Sequence, residues 1–431
     1  MNTTLVILMF SIFFIVAFLD LPLAFVMGLA GTIPILITKS ASPMMTVSAI
    51  LSGMDSFTLL ACPFFILSGN LMVSGGLAKK LVDFANSLVG NIRGGLAMVC
   101  VIACVFFGAL SGSGPATLAA IGGIMIPYMV EAGYPLAWAT ALAASSGLIG
   151  IFIPPSVAMI NYGVLAGVSV ADMLLSGVGP GLLTAIVFCV LAFFTCKRRG
   201  FGEASGRKVT LKGIWVAFKG GVWALMMPVI ILGGIYSGLF TPTEAAAVAC
   251  IYALVVGLFI TRELSIKDLP KILKSSAVTA SVIMFSMGTA NAFGKSITLS
   301  RLPITLVSAV TSMNLNQFLF LGIVTILLLI MGTFMSPLTT VQIVTPILLP
   351  VATSLGVNPV HFGATMVVNS TFGMITPPLG SQMFLGCSMT GLSFKDLLKE
   401  MWAFIIAAVI IILLVTYIPN ISIGLVKLLR W

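Results

Sequence analysis

"GALSGSGPATLAAIG", residues 108–122, interrupts one of the most apolar stretches of the chain. Ser111, Gly112, Ser113, Gly114 and Pro115 fall together inside a run otherwise long enough to cross a membrane. Glycine and proline weaken or break helices, and bare backbone in hydrocarbon is costly. A helix that stops here needs other partners for its freed amides and carbonyls.

The composition says which solvent surrounds that break. With 59% hydrophobic and 7% charged residues over 431 positions, a water-facing surface cannot be covered. Apolar segments of about 17 to 25 residues recur, the length that spans a bilayer core, and barrel-type strand alternation is absent. The fold class is therefore an all-α polytopic membrane protein. No cleaved signal peptide is expected, because the first apolar run lacks a basic start and leads straight into a second. The net charge of +10 sits in loops, notably Cys196–Gly213, and reflects orientation rather than nucleic-acid binding. The seven cysteines lack zinc-type spacing and read as small core residues.

Working outward, apolar spans fall at 5–19, 21–37, 58–73, 136–165 and 173–195, then at 221–240, 245–261, 277–293, 360–385 and 402–418. Two further blocks, 97–130 and 318–352, are broken by SGSGP and by "GTFMSPLTT" and read as re-entrant hairpins. That makes about ten spans plus two hairpins. Residues 1–195 form a first repeat, with scaffold spans in 1–38, an amphipathic interfacial helix at 76–92, hairpin 97–130 and broken span 136–165. Residues 196–218 are a basic cytoplasmic loop, and 219–431 form a second repeat with scaffold spans in 219–262, an interfacial helix at 295–312, hairpin 318–352 and broken span 360–385. "ELSIKDLPKILK" (263–274) is a further amphipathic piece, which Pro270 should interrupt. Alternation then puts sixteen of the 21 basic residues inside, five outside, and both termini outside.

The halves repeat at a constant offset. Pro127, Gly133, Gly150, Pro154, Pro155 and Gly163 recur 223 residues later as Pro350, Gly356, Gly373, Pro377, Pro378 and Gly386. One inserted residue then aligns Gly167, Ser169 and Asp172 with Gly391, Ser393 and Asp396. Helix breakers in register mark backbone geometry, which packing kinks alone do not explain. Five crossings per half turn the halves opposite ways, so this is an inverted repeat of the secondary-transporter kind.

Broken helices inside a bilayer are tolerated where they line a cavity. Half-helix N-termini suit a carboxylate, while carbonyls and hydroxyls suit a hard cation such as Na⁺. Neither breaker motif contains Asp, Glu, Lys or Arg, so cation ligands would be Ser, Thr and backbone oxygens. "GTANAFGKS" (288–296) is not a P-loop, having five residues between its glycines, so ATP is not expected. His361 reads as a cap or interface residue, and Thr243 and Glu244 as a helix first turn. No nucleophile–base or metal constellation points to an enzyme.

"ALSGSGPATLAAIG", "GLIGIFIPPS", "GLFTPTEAAAVA" and "NSTFGMITPPLG" together resemble the large membrane subunit of tripartite ATP-independent periplasmic (TRAP) transporters, most like the sialic-acid branch. The resemblance covers essentially the whole chain and implies an elevator-type carrier in the bacterial inner membrane. A scaffold would hold a moving transport domain made of the hairpins and broken spans. Sodium would drive uptake of a small organic acid, best matched by sialic acid (N-acetylneuraminate), without ATP. A small four-helix membrane subunit and a periplasmic substrate-binding protein would be the partners.

Carried over, a first sodium site would involve Ser111, Ser113, Gly150, Ile153 and Ser156, and a second Gly332, Thr333, Gly373 and Thr376. Substrate would meet Ser113, Thr117, Pro155, Asn161, Ser336, Thr339, Asn369 and Pro378. A stand-alone sodium–carboxylate symporter of related fold, or a channel, is the alternative.

Overall fold

The computed structural model describes residues 3–90, 92–202 and 210–429, and every element in them is helical. Nine helical segments there are long and apolar enough to cross a membrane. The helices Thr3–Phe18 and Leu23–Thr38 are sixteen residues each and fall short of that length.

The helix order repeats. Gly95–Ser111 and Gly114–Glu131 form one helix–break–helix hairpin, with a π-turn at Leu118–Gly122. Gln317–Phe334 and Pro337–Ser354 form the other. Each is followed by a span broken at its paired prolines: Leu136–Phe152 continues as Val157–Ala166, and Pro359–Gly373 as Ser381–Thr390. Both Pro154–Pro155 and Pro377–Pro378 peptides are cis. Long helices Val170–Arg199 and Phe394–Tyr417 then close the two series.

Local chemistry sets these boundaries. Ser113, Ser156 and Ser336 cap the helices that follow the breaks, their side chains accepting from Ala116, Met159 and Thr339 amides. Thr241 and Glu244 make a reciprocal capping box at the start of Pro242–Val255, as the sequence anticipates there.

Loops and helix ends distant in sequence meet in two groups. At one end Gly94 N–H donates to Gly202 O at 2.7 Å, Arg199 pairs with Glu400 at 2.6 Å and Lys80 approaches Glu263 at 3.9 Å. At the other end Tyr162 Oη donates to Pro359 O and Tyr236 Oη to Ala171 O, both at 2.7 Å. His361 is buried there, bonded to Ser422 Oγ at 2.8 Å and Thr416 O at 3.1 Å.

Several boundaries differ from expectation. The helix Leu269–Ser300 is 32 residues long and continuous, because Pro270 sits in its first turn, where a missing N–H costs nothing. The piece at 263–274 is thus mostly the start of that helix, beginning with a 3₁₀ turn at Ile266–Asp268. The helix expected at 295–312 runs instead from Leu302 to Ser312, since Arg301, in the left-handed conformation, ends the preceding helix. Helix Val170–Arg199 and the one from Leu211 to Tyr236 extend into the expected 196–218 loop and shorten it to 200–210. Its basic residues Arg207 and Lys208 lie outside the described residues.

A helix the sequence reading missed, Pro43–Met54, packs on the long helix. Asn291 Nδ2 donates to Ala49 O at 2.9 Å, and a Cβ added at Gly53 would lie 2.7 Å from that of Asn291.

Candidate ion and substrate site

The two breaks converge. A cavity of about 390 Å³ is walled by Ser111–Ala116 of the first hairpin, Ser336–Leu338 of the second, and Ile151, Val157 and Met374 from the broken spans. Its remaining wall comes from Asn70 and neighbours on Ala61–Ser74, and from Ser275, Thr279 and Ile283 on Leu269–Ser300. Asn70 Nδ2 donates to the adjacent Ser276 Oγ at 2.8 Å, tying those two helices together. No Asp, Glu, Lys, Arg or His lines the cavity among the described residues. An anionic guest would therefore meet amides, hydroxyls and helix N-termini.

The first hairpin tip turns because Gly112 takes a left-handed φ of 59°. It lies so close to the proline pair that a Cβ on Gly112 would overlap Pro155 O. Around it Thr117 Oγ1 donates to Ser113 O at 2.7 Å and lies 3.0 Å from Ser111 Oγ. Gly150 packs against the same residues: its added Cβ would be 3.1 Å from Ser113 O and would collide with Thr117 Oγ1. Hence Ser111, Ser113, Thr117, Gly150, Pro155 and Ser156 form one oxygen-rich cluster where a hairpin tip meets a helix break. Hydroxyls that give their protons to carbonyls turn lone pairs outward, the arrangement a hard cation uses. Ile153, extended in backbone, leads into the same break.

The second tip repeats this with different contacts. A Cβ on Gly373 would sit 2.5 Å from the Gly332 Cα, and one on Gly332 would overlap Ser370 O. Buried Thr333 Oγ1 donates to Ile330 O at 2.8 Å, and Thr376 Oγ1 to Phe372 O at 2.9 Å. These four residues surround the second helix break, without a side-chain bond joining the two threonines among those found.

The residues carried over for substrate divide. Ser113 and Ser336 line the cavity, and Thr339 is linked to Ser336 at 3.2 Å. Thr117 and Pro155 support the first tip from behind. Asn161 turns away, donating to Val157 O at 2.8 Å and approaching Cys62 Sγ at 3.8 Å. Asn369 is fully buried and donates to Thr325 Oγ1 at 3.0 Å, on the hairpin arm rather than at its tip. Pro378 is exposed and absent from the cavity wall.

Two glutamines were overlooked. Gln382 Nε2 donates to Gly114 O at 3.1 Å, tethering the first tip to the broken span of the other repeat. Gln342 on the second hairpin accepts from Ser286 Oγ at 2.5 Å. Both are fully buried. An uncharged polar side chain isolated in an apolar run was the available signal, since such a group must find a partner.

The family model described as "Tripartite ATP-independent periplasmic transporter, DctM component" matches residues 10–421. The chain is 40% identical over 399 residues to the C4-dicarboxylate TRAP transporter large permease protein DctM of Pseudomonas aeruginosa, covering 93% of each. It is 34% identical to the sialic acid TRAP transporter large permease protein SiaM of Vibrio cholerae, covering 95% of this chain and 96% of that one. Among solved structures, the Alcanivorax borkumensis YdaH transporter aligns with a TM-score of 0.63 at 14% identity, over 88% of this chain and 87% of that one. That likeness concerns the fold.

Proposed function

Because this chain belongs to the tripartite ATP-independent periplasmic transporter DctM-component family, we propose that it carries a small organic acid across the bacterial inner membrane, driven by sodium. The observation that carries this reading is one cavity at which both hairpin tips converge, walled by apolar side chains, hydroxyls and glycine backbone, with no charged side chain among the described residues. A carboxylate is suited to the N-termini of the capped helices, and Na⁺ to the oxygen clusters where each tip meets a helix break. Neither partner requires a titrating group there.

The long-range side-chain ties support two mechanical units, and the helices Leu77–Val89 and Leu302–Ser312 pack on the hairpins where the units meet. One comprises the helices up to Val89 and those from Leu211 to Ser312; most of its long-range side-chain ties, such as Ser296 Oγ to Gly31 O and Thr243 Oγ1 to Phe57 O, stay within it. The other comprises the hairpins, broken spans and long closing helices, tied by Arg199–Glu400, Tyr162–Pro359 and Gln382–Gly114. We assign the first as scaffold and the second as the moving unit of an elevator. Within that reading the sodium ligands are the residues named above: Ser111, Ser113, Gly150, Ile153 and Ser156 at one tip, and Gly332, Thr333, Gly373 and Thr376 at the other.

The cavity's scaffold wall lies near the ends of the scaffold helices flanked by Lys79, Lys80, Lys271 and Lys274. Positive-inside bias favours reading that end as cytoplasmic; on that reading this conformation is inward-facing and the termini are periplasmic. A small membrane subunit and a periplasmic binding protein complete the system. For the cargo, relatives named for C4-dicarboxylates and for sialic acid both fall within the range of similarity. The 40% relative favours a C4-dicarboxylate over the sialic acid suggested by motif resemblance.

The test is uptake by proteoliposomes containing this chain, its small subunit and a cognate binding protein. Labelled dicarboxylate and labelled sialic acid are each offered with an inward Na⁺ gradient. Accumulation of one of them under Na⁺, lost in choline and indifferent to ATP, is the expected result. Equal uptake in choline overturns the sodium reading.

A further inference from the structure

Between the two units runs a seam, and its chemistry is uneven. Along most of it apolar or backbone surfaces face one another, as where Gly294 of the long scaffold helix meets Pro346 of the second hairpin, an added Cβ falling 3.4 Å from the proline ring. Side-chain hydrogen bonds found across it among the described residues are Asn161 to Cys62 at 3.8 Å, Tyr236 to Ala171 O at 2.7 Å, and Ser286 to Gln342 at 2.5 Å. The first is long and soft, and the second lies at a helix end. Ser286–Gln342 is the short, fully internal one, with Gln342 fully buried and Ser286 nearly so.

Its position matters as much as its strength. Thr279 and Ile283 line the cavity from the same helix, and Ser286 lies one turn beyond Ile283. On the hairpin, Ser336–Leu338 line the cavity and Gln342 lies one turn beyond Leu338. The bond therefore stands where the cavity ends, on its far side from the basic helix ends. Gln342 Nε2 has no partner here. A buried amide half satisfied in one state is poised to exchange partners, because its spare donor lowers the net gain from keeping this bond.

We propose that Ser286–Gln342 is a state-specific bolt: it seals the cavity from the opposite face and must open whenever the hairpin moves along the scaffold. This rests on the two-unit reading above. Gln342 and Ser286 are then positioning residues for the transport cycle, touching neither cargo nor ion.

Two measurements test it. A cysteine is introduced by Ser336→Cys, and its labelling by an impermeant maleimide is measured from each side of sealed vesicles, subtracting that of the unsubstituted chain. Removing the bolt with Ser286→Ala should raise labelling from the face opposite the basic ends by about fivefold, the worth of one ordinary hydrogen bond. Ser286→Thr, which keeps the hydroxyl, should restore the parental ratio. An unchanged ratio in Ser286→Ala overturns the bolt, even if stability falls.

In the second measurement Ser286→Cys and Gln342→Cys are bridged by a short, reducible bifunctional thiol reagent. Bridging should abolish uptake and reduction should restore it. Persistent uptake in bridged protein overturns the bolt while leaving sodium-driven transport intact. Failure of the unbridged parent to accumulate cargo under Na⁺ would instead count against the transport reading itself.

Discussion

Gly373 lies against Gly332 so closely that a Cβ on the first would come within 2.5 Å of the Cα of the second. The broken span and the hairpin arm touch backbone to backbone at the second tip. In the first repeat Gly108 meets Gly150 the same way, an added Cβ falling 2.6 Å from the Gly150 Cα. Both helix breaks are thus held against a hairpin arm by pairs of residues without side chains.

Gly373→Val should lower uptake at least tenfold, because no rotamer removes a clash made by Cβ itself. Overpacking of this kind costs about 1–3 kcal/mol or more. Gly233→Ala, whose added Cβ meets nothing within 4 Å, should transport like the parent. Initial rates normalised to purified protein make the comparison, and parental rates in the valine variant would refute the contact's role.

Ser113→Ala and Thr376→Ala should act mainly on sodium, Ser113→Ala also losing a helix cap worth about 1 kcal/mol of stability. Each removes one hydroxyl at a helix break, worth about 1–3 kcal/mol by analogy with a bond to a charged group. At about 1.4 kcal/mol per tenfold, the Na⁺ concentration giving half-maximal uptake should rise roughly 5- to 100-fold. Ser308→Ala, on an exposed helix face, is the matching hydroxyl deletion that should leave it unchanged.

Uptake should also need its delivery partner. Reconstituted with only the small membrane subunit, the chain should take up little free cargo, and adding the periplasmic binding protein should raise the rate by tenfold or more. Brisk uptake without that protein would favour a stand-alone symporter.

Thr241→Ala should separate stability from transport. It removes half of a capping box at the start of Pro242–Val255, and such caps are worth about 1 kcal/mol. Denaturant unfolding in detergent should shift by that amount with the Na⁺ dependence of uptake unchanged.

How much of this was readable in advance varied with the kind of signal. Breaker residues carry position directly, so SGSGP and the proline pairs located the tips and breaks within a few residues. Gly112, at φ 59°, is where glycine was required. Pro43–Met54 was missed because "SPMMTVSAILSGMD" is neither apolar enough for a span nor strongly amphipathic, although Ser42 and Pro43 form an ordinary helix start. Pro270 misled for the opposite reason: a proline ends a helix when internal and starts one when first, and position alone distinguishes these. The seam contacts, Ser286 to Gln342 and Tyr236 to Ala171, join residues 56 and 65 positions apart. No local pattern encodes such pairs; they emerge from packing.

The short helix Leu23–Thr38 has a consequence beyond its own packing. Sixteen residues rise about 24 Å, less than the roughly 30 Å of a bilayer's hydrocarbon. Asp20 before it and Lys39 after it flank that length with charge. Where lipid lies beside a helix of this length, a thinner bilayer fits it best. Bilayer thickness then becomes a working condition, like ion concentration. Vesicles of longer acyl chains should strain that fit, and uptake should fall as the chains lengthen while sodium affinity holds.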